Sequence, residues 1–565
     1  MHNPVAEPRR SIYYPYRVMA PWLPSRHSGP QRAKVVVGGA GPAGLVLALE
    51  LARHGVPSVV LESERQVSEG SRAIVFTRRT MEILQQVGVA SRITAAGLPW
   101  CYGNSFYRGQ RVFRMENPKS EDDRFYPMIN LQQQYLEEYL IDAVTEQSLI
   151  ELRWGNRVTG VAQREAGVLV TIDTPDGPYE LETEWLVAAD GARSGIRSLL
   201  GLKMEGQSYE GRFVIADIRV DLPLPTERLA FFDPDWNPGN TVLMHREPHG
   251  IWRIDYQLPA GQTPETALEP QALHARINAA LQTVGYGDRP WELDWASVYS
   301  ARTLTLPDYV HGRVLFTGDA AHMLPIFGVR GANTAFQDSQ SLGWHLAYVV
   351  RNILSREALA NFSRERVGAA REIIDEAGKS TRFMTPPTRG FRLLRDAVLS
   401  LSLSEPFVSP LYHWRTSRPH EYTVSAFNCQ GDDNALFQTG PGDGAPPLNV
   451  RLGVDDYLLD HIGGAFDLLY YTGGGDVPAS LREVIDGARQ RGLPIRVLAV
   501  GSGHPIAAAD VSLSDEDGRL RARYGMESVG AAYLFRPDQH ICARWVTLDA
   551  ARLSSALNHI LESRT

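Results

Sequence analysis

Two glycine-rich turns, far apart in the chain, carry the residue types that bind phosphate and steady a charged ring. The first is Gly39-Ala40-Gly41-Pro42-Ala43-Gly44, set between the β-branched run Val35–Val37 and a helical spacing of Leu45, Leu49 and Ala52. In such a turn the first glycine permits the bend and the second lets backbone N–H groups approach a pyrophosphate. The third lets helix and strand pack closely. Glu62 closes the next strand-like run, Val59–Leu61, where an acid binds a ribose 2′-hydroxyl and favours an unphosphorylated adenosine ribose. The second turn lies in "LFTGDAAHMLPIFGVRGANTAFQD", Leu315 to Asp338, and carries one aspartate, Asp319. A helix entered near Asn333 aims its positive end at this loop, where an anionic ring would be stabilised. One nucleotide needs only one such turn; a long, two-ended cofactor has use for both.

A third motif, Asp190-Gly191-Ala192-Arg193-Ser194-Gly195-Ile196-Arg197, follows the strand-like "WLVAA" and opens a helix. Taken alone it is a strand-to-helix turn. "VGSGHPIAAAD" imitates a second nucleotide turn through Gly501 and Gly503. Ile506 stands where close helix packing requires a small residue and Pro505 alters the bend, so a surface loop is expected.

The elements that must position these turns read as a mixed α/β chain. Lys34 to Glu62 has strand–helix–strand periodicity, hence a mainly parallel, doubly wound sheet. From about residue 206 the pattern alternates apolar and polar residues, as in "YEGRFVIADIRVDLPLP", which predicts an antiparallel sheet inserted between two parts of the nucleotide domain. The expected organisation is an N-terminal arm (1–32), a first nucleotide-binding part (33–205), a substrate-binding β-sheet domain (206–304) and a second nucleotide-binding part (305–375). A helical and linker segment (376–446) and a C-terminal αβ domain (447–565) follow.

At 565 residues the chain exceeds one compact core, and its net charge of −8 argues against nucleic acid as the main partner. Cys101, Cys429 and Cys542 have no CxxC spacing and no His/Cys cluster beside them. That disfavours a disulfide framework or a metal site and fits a reducing cytoplasm. The proline-broken start lacks an export signal's apolar stretch, and no run reaches the ~20 apolar residues of a membrane span.

The ordered trio of GxGxxG, DGxxSxxR and GDAAH resembles the group A, single-component flavoprotein monooxygenases, built like p-hydroxybenzoate hydroxylase, over roughly residues 33–370. The layout through the tail "YLFRPDQHICARW" is similar to the phenol hydroxylase and 3-(3-hydroxyphenyl)propionate hydroxylase branch. The resemblance implies a Rossmann-like FAD-binding domain with an inserted antiparallel substrate sheet, and a thioredoxin-like C-terminal domain. In that branch the tail lacks redox cysteines, and Cys542 alone offers no dithiol pair.

The cofactor positions implied are Gly39, Gly41, Ala43, Gly44 and Glu62 for the ADP half, with Val158 meeting the adenine through its backbone. Arg72 and Gln133 would reach the cofactor, though Gln132 or Gln134 could take the place of Gln133. Asp190 and Arg193 would lie near the pyrophosphate and the NAD(P)H path. Gly318 and Asp319 would hold the ribityl chain, and Pro325, Gly331, Ala332 and Asn333 would border the flavin pyrimidine ring. The chain departs from relatives at Gly328-Val329-Arg330-Gly331, where many have Gly-Gly-Gln-Gly; Val329 narrows the loop and Arg330 adds a cation.

The activity implied is hydroxylation of a phenolic ring with NADPH or NADH and O2, through a flavin C4a-hydroperoxide. The alternative is a flavin oxidoreductase or epoxidase on a quinone or an alkene-containing, polyketide-like substrate. A homodimer is compatible with the arm and tail. In "HREPHGIWRIDYQL", strand alternation puts His245, Trp252, Ile254 and Tyr256 on one face and Arg253 and Asp255 on the other. Tyr256 or His245 would assist phenol deprotonation and Arg253 would bind a substrate carboxylate; core roles for the aromatics and a structural His245 are the competing reading. His322 is expected to be structural or flavin-proximal.

Overall fold

A computed structural model describes residues 1–24, 31–259, 261–325, 327–412, 418–429, 433–501 and 505–562. Strand β1 (Gln31–Gly38) ends in the first glycine turn, which opens helix α1 (Pro42–Arg53). Strand β2 (Ser58–Glu62) returns parallel to β1 and pairs in turn with β3 (Ile150–Trp154). On its other side β1 pairs with β4 (Gly177–Ala188). The central residues Val35, Val36, Val37, Leu186 and Val187 are fully buried, because helices cover both faces of a parallel sheet.

The second sheet contains β5 (Glu205–Arg219), β6 (Arg228–Phe232), β7 (Thr241–Arg246) and β8 (Ile251–Gln257). Helix α2 (Pro270–Thr283) and strand β9 (Glu292–Thr305) follow. Strand β10 (Val314–Phe316) then rejoins the first sheet beside β4. Helix α3 (Gly331–Val350) lies against α1, and α4 (Glu357–Met384) packs on α3.

The second sheet runs beyond the residues expected of it. Tyr102–Tyr107 pairs parallel with β6 and carries Gln110–Glu116 at the sheet edge, so a hairpin from the first nucleotide-binding part is built into the substrate sheet. Nothing local in the hairpin could reveal that partner, which lies more than a hundred residues downstream.

The two faces of this sheet differ sharply. Val214, Ala216, Ile218, Met244, Trp252, Ile254 and Tyr256 pack under Leu273, Ile277, Ala280 and Leu281 of α2 as a closed apolar layer. The opposite, inner face carries Phe213, Ala230, Phe232 and Leu243 towards Phe327 and towards Phe383 and Met384 at the end of α4.

The N-terminal residues form a strap bonded both to the second sheet and to the loop after β2. Asp294 accepts from Ser11 Oγ at 2.7 Å and from the Ile12 N–H at 2.6 Å, while Tyr16 donates to the Ser68 carbonyl at 3.0 Å.

The C-terminal sheet has the order Val511–Ser514, Ile495–Gly501, Phe466–Tyr471, Ala532–Phe535, Ile541–Trp545; its first three strands are parallel and the other two antiparallel to their neighbours. It docks through buried polar bonds: Arg79 donates to Gln539 Oε1 at 2.7 Å, Trp344 Nε1 to Asp538 Oδ2 at 3.0 Å, and Arg536 pairs with Glu365 at 2.7 Å. The Cys429 N–H donates to the Cys542 carbonyl at 2.8 Å, and both thiols are free. Burial pushes the Cys429 thiol up to about 12 and the Cys542 thiol well up, so neither supplies a thiolate at neutral pH. Gly501 ends its strand as expected of the imitation turn; Gly503 lies outside the described residues.

Candidate functional site

The first turn has the geometry its glycines imply. Gly39 has φ +111°, and a Cβ there would meet the Ala189 carbonyl oxygen at 2.4 Å; a Cβ on Gly44 would meet the Gly39 oxygen at 2.0 Å. A Cβ on Gly41 would meet nothing within 4 Å. The first and third glycines are therefore demanded by the fold, while the second borders open space. Gly41 is also the N-cap of α1, where no side chain caps the helix, so the first-turn N–H groups face that space. Glu62 Oε2 accepts the Ala40 N–H at 2.8 Å, which sets the acid against the turn.

The second turn sits directly on the first. A Cβ on Gly318, at φ +59°, would come 3.0 Å from Ala43 Cβ, and Ser339 Oγ donates to the Ala43 carbonyl at 2.8 Å. Asp319 is exposed by surface area, yet its surroundings raise its carboxyl by desolvation, with His322 and then Arg72 pulling it back.

Helix α3 begins at Gly331 with no side-chain cap, leaving the first N–H groups open. The Asn333 side chain is occupied: its Oδ1 accepts from Thr80 Oγ1 at 2.6 Å and the Thr77 N–H at 2.9 Å, and Nδ2 donates to the Val329 carbonyl at 2.6 Å. Pro325 is buried, Ala332 partly so. Behind the turn, Asp338 accepts from Arg366 Nε at 2.6 Å and lies 2.5 Å from His322 Nε2. Although burial opposes ionisation, Arg366 and His322 hold the Asp338 carboxyl below its usual range.

Arg72 projects from a loop next to these turns, and its side chain is exposed. Gln133 fixes that loop: its Oε1 accepts the Ala73 N–H at 3.0 Å, and its own N–H donates to Ser71 Oγ at 2.9 Å. Its neighbours turn elsewhere, Gln132 to the Pro248 carbonyl and Gln134 to Tyr16. Val158, partly buried, lies 3.8 Å from the Cβ position of Gly38. Asp190 lies beside Gly39, but its oxygens are taken: Ser194 Oγ donates to it at 2.6 Å and the Ile196 N–H at 3.0 Å. Arg193 is exposed at the same turn. Arg197, the last residue of the third motif, ties the turn to the second one by donating to the Ala320 carbonyl at 3.0 Å.

The residues expected to do acid–base work are placed differently from the sequence reading. His245 stands opposite Arg253 in the β7–β8 register, so it shares the inner face with Arg253 and Asp255, not the face of Trp252 and Tyr256. The short turn Pro248–Gly250, with His249 at φ 63°, sets that register. Tyr256 points into the closed layer under α2 and is 1% exposed, which removes it from any substrate. Arg253 is committed within the chain: Nε lies 2.8 Å from Asp217 Oδ1 and Nη2 lies 2.7 Å from Oδ2, and the guanidinium also donates to the Ser71 and Arg72 carbonyls. The carboxylate it binds is the protein's own. Among the described residues His245 Nδ1 has no hydrogen-bond partner, and burial followed by Arg228 and Arg253 drives its pKa well down, so the ring is neutral.

A surface cleft of about 780 Å3 lined by Lys34, Ser58, Glu151 and Thr183 lies at the opposite end of the parallel strands from the glycine turns. Ligands of doubly wound sheets bind beyond the carboxyl ends, so this cleft is not the site.

A family model described as "FAD binding domain" matches residues 32–377. The chain belongs to this FAD-binding family. Over 561 residues it is 27% identical to a 3-(3-hydroxy-phenyl)propionate/3-hydroxycinnamic acid hydroxylase of Mycolicibacterium smegmatis, covering 95% of each chain. A para-nitrophenol 4-monooxygenase of a Pseudomonas species is 30% identical over 341 residues, 59% of this chain and 82% of that relative. The crystal structure of the flavin-dependent monooxygenase PieE in complex with FAD and substrate superposes with a TM-score of 0.80 at 23% identity, covering 95% of this chain and 100% of that one.

The features found here fit FAD. Space beside Gly41, two uncapped helix starts and an accessible carboxyl at Asp319 provide anion donors at two places and a hydroxyl acceptor on the second turn.

Proposed function

We propose that the protein is a FAD-dependent monooxygenase that uses NADH or NADPH and O2 to hydroxylate a phenolic ring. The observation that carries the reading is the contact of the two turns: Ala43 of the first touches Gly318 of the second, so one extended cofactor spans both helix starts. The end-to-end likeness to a hydroxyphenylpropionate hydroxylase supports a phenol as substrate.

In this reading Gly39, Gly41, Ala43 and Gly44 hold the pyrophosphate on the N–H groups of α1, Glu62 the ribose, and Val158 the adenine. Arg72 and Gln133 flank the cofactor, one by contact and one by fixing the loop; Asp190 and Arg193 shape the turn beside the pyrophosphate. Gly318 and Asp319 take the ribityl chain, while Pro325, Gly331, Ala332 and Asn333 border the flavin ring. Bound there, FAD would supply the redox chemistry, taking electrons from the nicotinamide and delivering one oxygen of O2 to an electron-rich ring. The start of α3 stabilises negative charge on the reduced ring. The aromatic inner face of the second sheet excludes water from the oxygen-transfer step, which would otherwise drain to H2O2.

The C-terminal strand order and directions favour a thioredoxin-like unit that serves as a docking module. Three free cysteines fit a cytoplasmic setting.

The test is NADPH and NADH oxidation in air by the FAD-loaded protein against a panel of phenols, with H2O2 quantified. A phenol that accelerates nicotinamide consumption without matching peroxide, and gains one oxygen, is the expected result. Electrons that drain only to peroxide with every phenol would overturn the reading.

A further inference from the structure

On the inner face of the second sheet the registers stack side chains into rows. One row is polar: Asp217, Arg253, His245 and Arg228 follow one another across β5, β8, β7 and β6. The next row is Ser297, Ile215, Asp255, Leu243 and Ala230, and the one beyond it includes Tyr299, Phe213, Gln257 and Phe232. Asp255 therefore stands where a band of charge meets a wall of aromatics.

The inner face is not closed at this point. Ile215, Asp255, Leu243 and His245 keep 8, 7, 6 and 6% of their surface, whereas Val214, Ala216, Met244, Ile254 and Tyr256 on the α2 side keep 0 or 1%. Phe213, Asp217 and Arg253 on the same face keep only 0, 0 and 2%, so the residual surface is confined to these four neighbouring side chains. Asp255 Oδ1 is buried and has no hydrogen-bond partner among the described residues. A buried carboxyl oxygen left without a hydrogen bond is expensive, and the side chain retains capacity to bond a group brought to this face.

We propose that Asp255 is the acid–base residue of the substrate chamber, its carboxyl taking the proton of a phenolic hydroxyl seated against the inner face of the sheet. The inference rests on the monooxygenase reading and adds the residue that reading lacks. In the step, the phenol O–H bond breaks, its electron pair stays on oxygen as phenolate, and the proton moves to Asp255. The electron-rich ring is then ready for oxygen transfer, and the proton leaves to solvent after product release.

The competitors are ruled out by position. Tyr256 is on the sealed face and Arg253 is saturated by Asp217 and by the loop before Ala73. Glu247 also lacks hydrogen-bond partners, but its side chain has no accessible surface. The groups that act on Asp255 are consistent with the role. Burial pushes its carboxyl up to about 7, Arg253 and Arg228 pull it back, and Asp217 pushes it further. A base poised near neutrality is well matched to proton transfer from a phenol. Tyr299 on β9 is itself held protonated by burial and by Asp255, and neutral His245 serves as a hydrogen-bonding neighbour, not a rival base.

The decisive experiment compares Asp255→Asn with the wild-type holoenzyme over phenols of decreasing pKa, following hydroxylated product. Retention of FAD, read from the visible spectrum, verifies the fold. The variant should lose on the order of 10²-fold or more in kcat on an ordinary phenol. The loss should shrink toward parity on a nitrophenol already ionised in the assay. The wild-type pH–rate profile supplies the same test without a mutant: a rising limb near neutrality with an ordinary phenol that disappears with the pre-ionised one. Equal loss across the panel, no loss, or a pH limb indifferent to phenol pKa would overturn the role of Asp255 and leave the hydroxylase standing. A wild-type enzyme that oxygenates no phenol would end both readings.

Discussion

Arg253 and Asp217 face each other across β8 and β5 as a buried two-point pair, 2.8 Å and 2.7 Å apart, and the guanidinium also holds the carbonyls of Ser71 and Arg72. One side chain thus joins the substrate sheet to the loop that presents Arg72 beside Asp319. A planar guanidinium can do this because it offers its donors in a fixed fork.

Removing that fork leaves Asp217 and Glu247 buried without their cation. Arg253→Met should destabilise the protein by about 3–5 kcal/mol, the range for a broken buried pair. It should also lower FAD retention, because the Ser71–Arg72 carbonyls lose their donor. Urea unfolding and the FAD content of purified protein would check this, and the Arg253→Met/Asp217→Asn double variant should lose less than the sum.

The three glycines of the first turn should separate by mechanism. Gly44→Ala drives a Cβ to 2.0 Å from the Gly39 oxygen and should damage the fold itself, lowering Tm with or without cofactor. Gly41→Ala meets nothing in the protein, so it should fold normally and bind FAD more weakly. Calorimetry of the apoprotein beside an FAD titration distinguishes the two effects.

Val329 holds φ 55°, in the left-handed region that a β-branched residue resists. This is the departure from glycine noted in the loop before α3. Val329→Gly should raise the unfolding free energy by up to about 1 kcal/mol, the relief of a left-handed Cβ less glycine's greater unfolded entropy. Chemical denaturation measures it.

Asp338, held below the usual carboxylate range by Arg366 and His322, makes a prediction in acid. Its folded pKa lies below its unfolded one. The stabilisation is therefore complete above the unfolded value of about 4 and is lost as pH falls through the folded one. Asp338→Asn should lower stability at neutral pH, since Arg366 loses its counter-ion, and should flatten the acid limb of a stability–pH curve.

The turns were legible because their requirement is local. A strand, a bend at positive φ and a tightly packed helix start need glycine at Gly39 and Gly44 whatever the rest of the chain does. The face of Trp252 and Ile254 followed from alternation alone, but that of His245 did not. Alternation runs along one strand, whereas the side a residue shares with its neighbour depends on the turn between them, here Pro248–Gly250. The same limit hid Tyr102–Glu116 within the second sheet.

Taken by itself, the amino-acid order determined the kinds of element, their succession and the two glycine turns, because each rests on interactions between residues close in the chain. Tertiary structure alone decided that Ala43 meets Gly318, that Arg253 is saturated and that Tyr256 is sealed under α2. It also left Asp255 Oδ1 without a hydrogen-bond partner among the described residues. These are properties of register and of contacts between distant segments, and a side chain's chemistry depends on which partners that packing supplies.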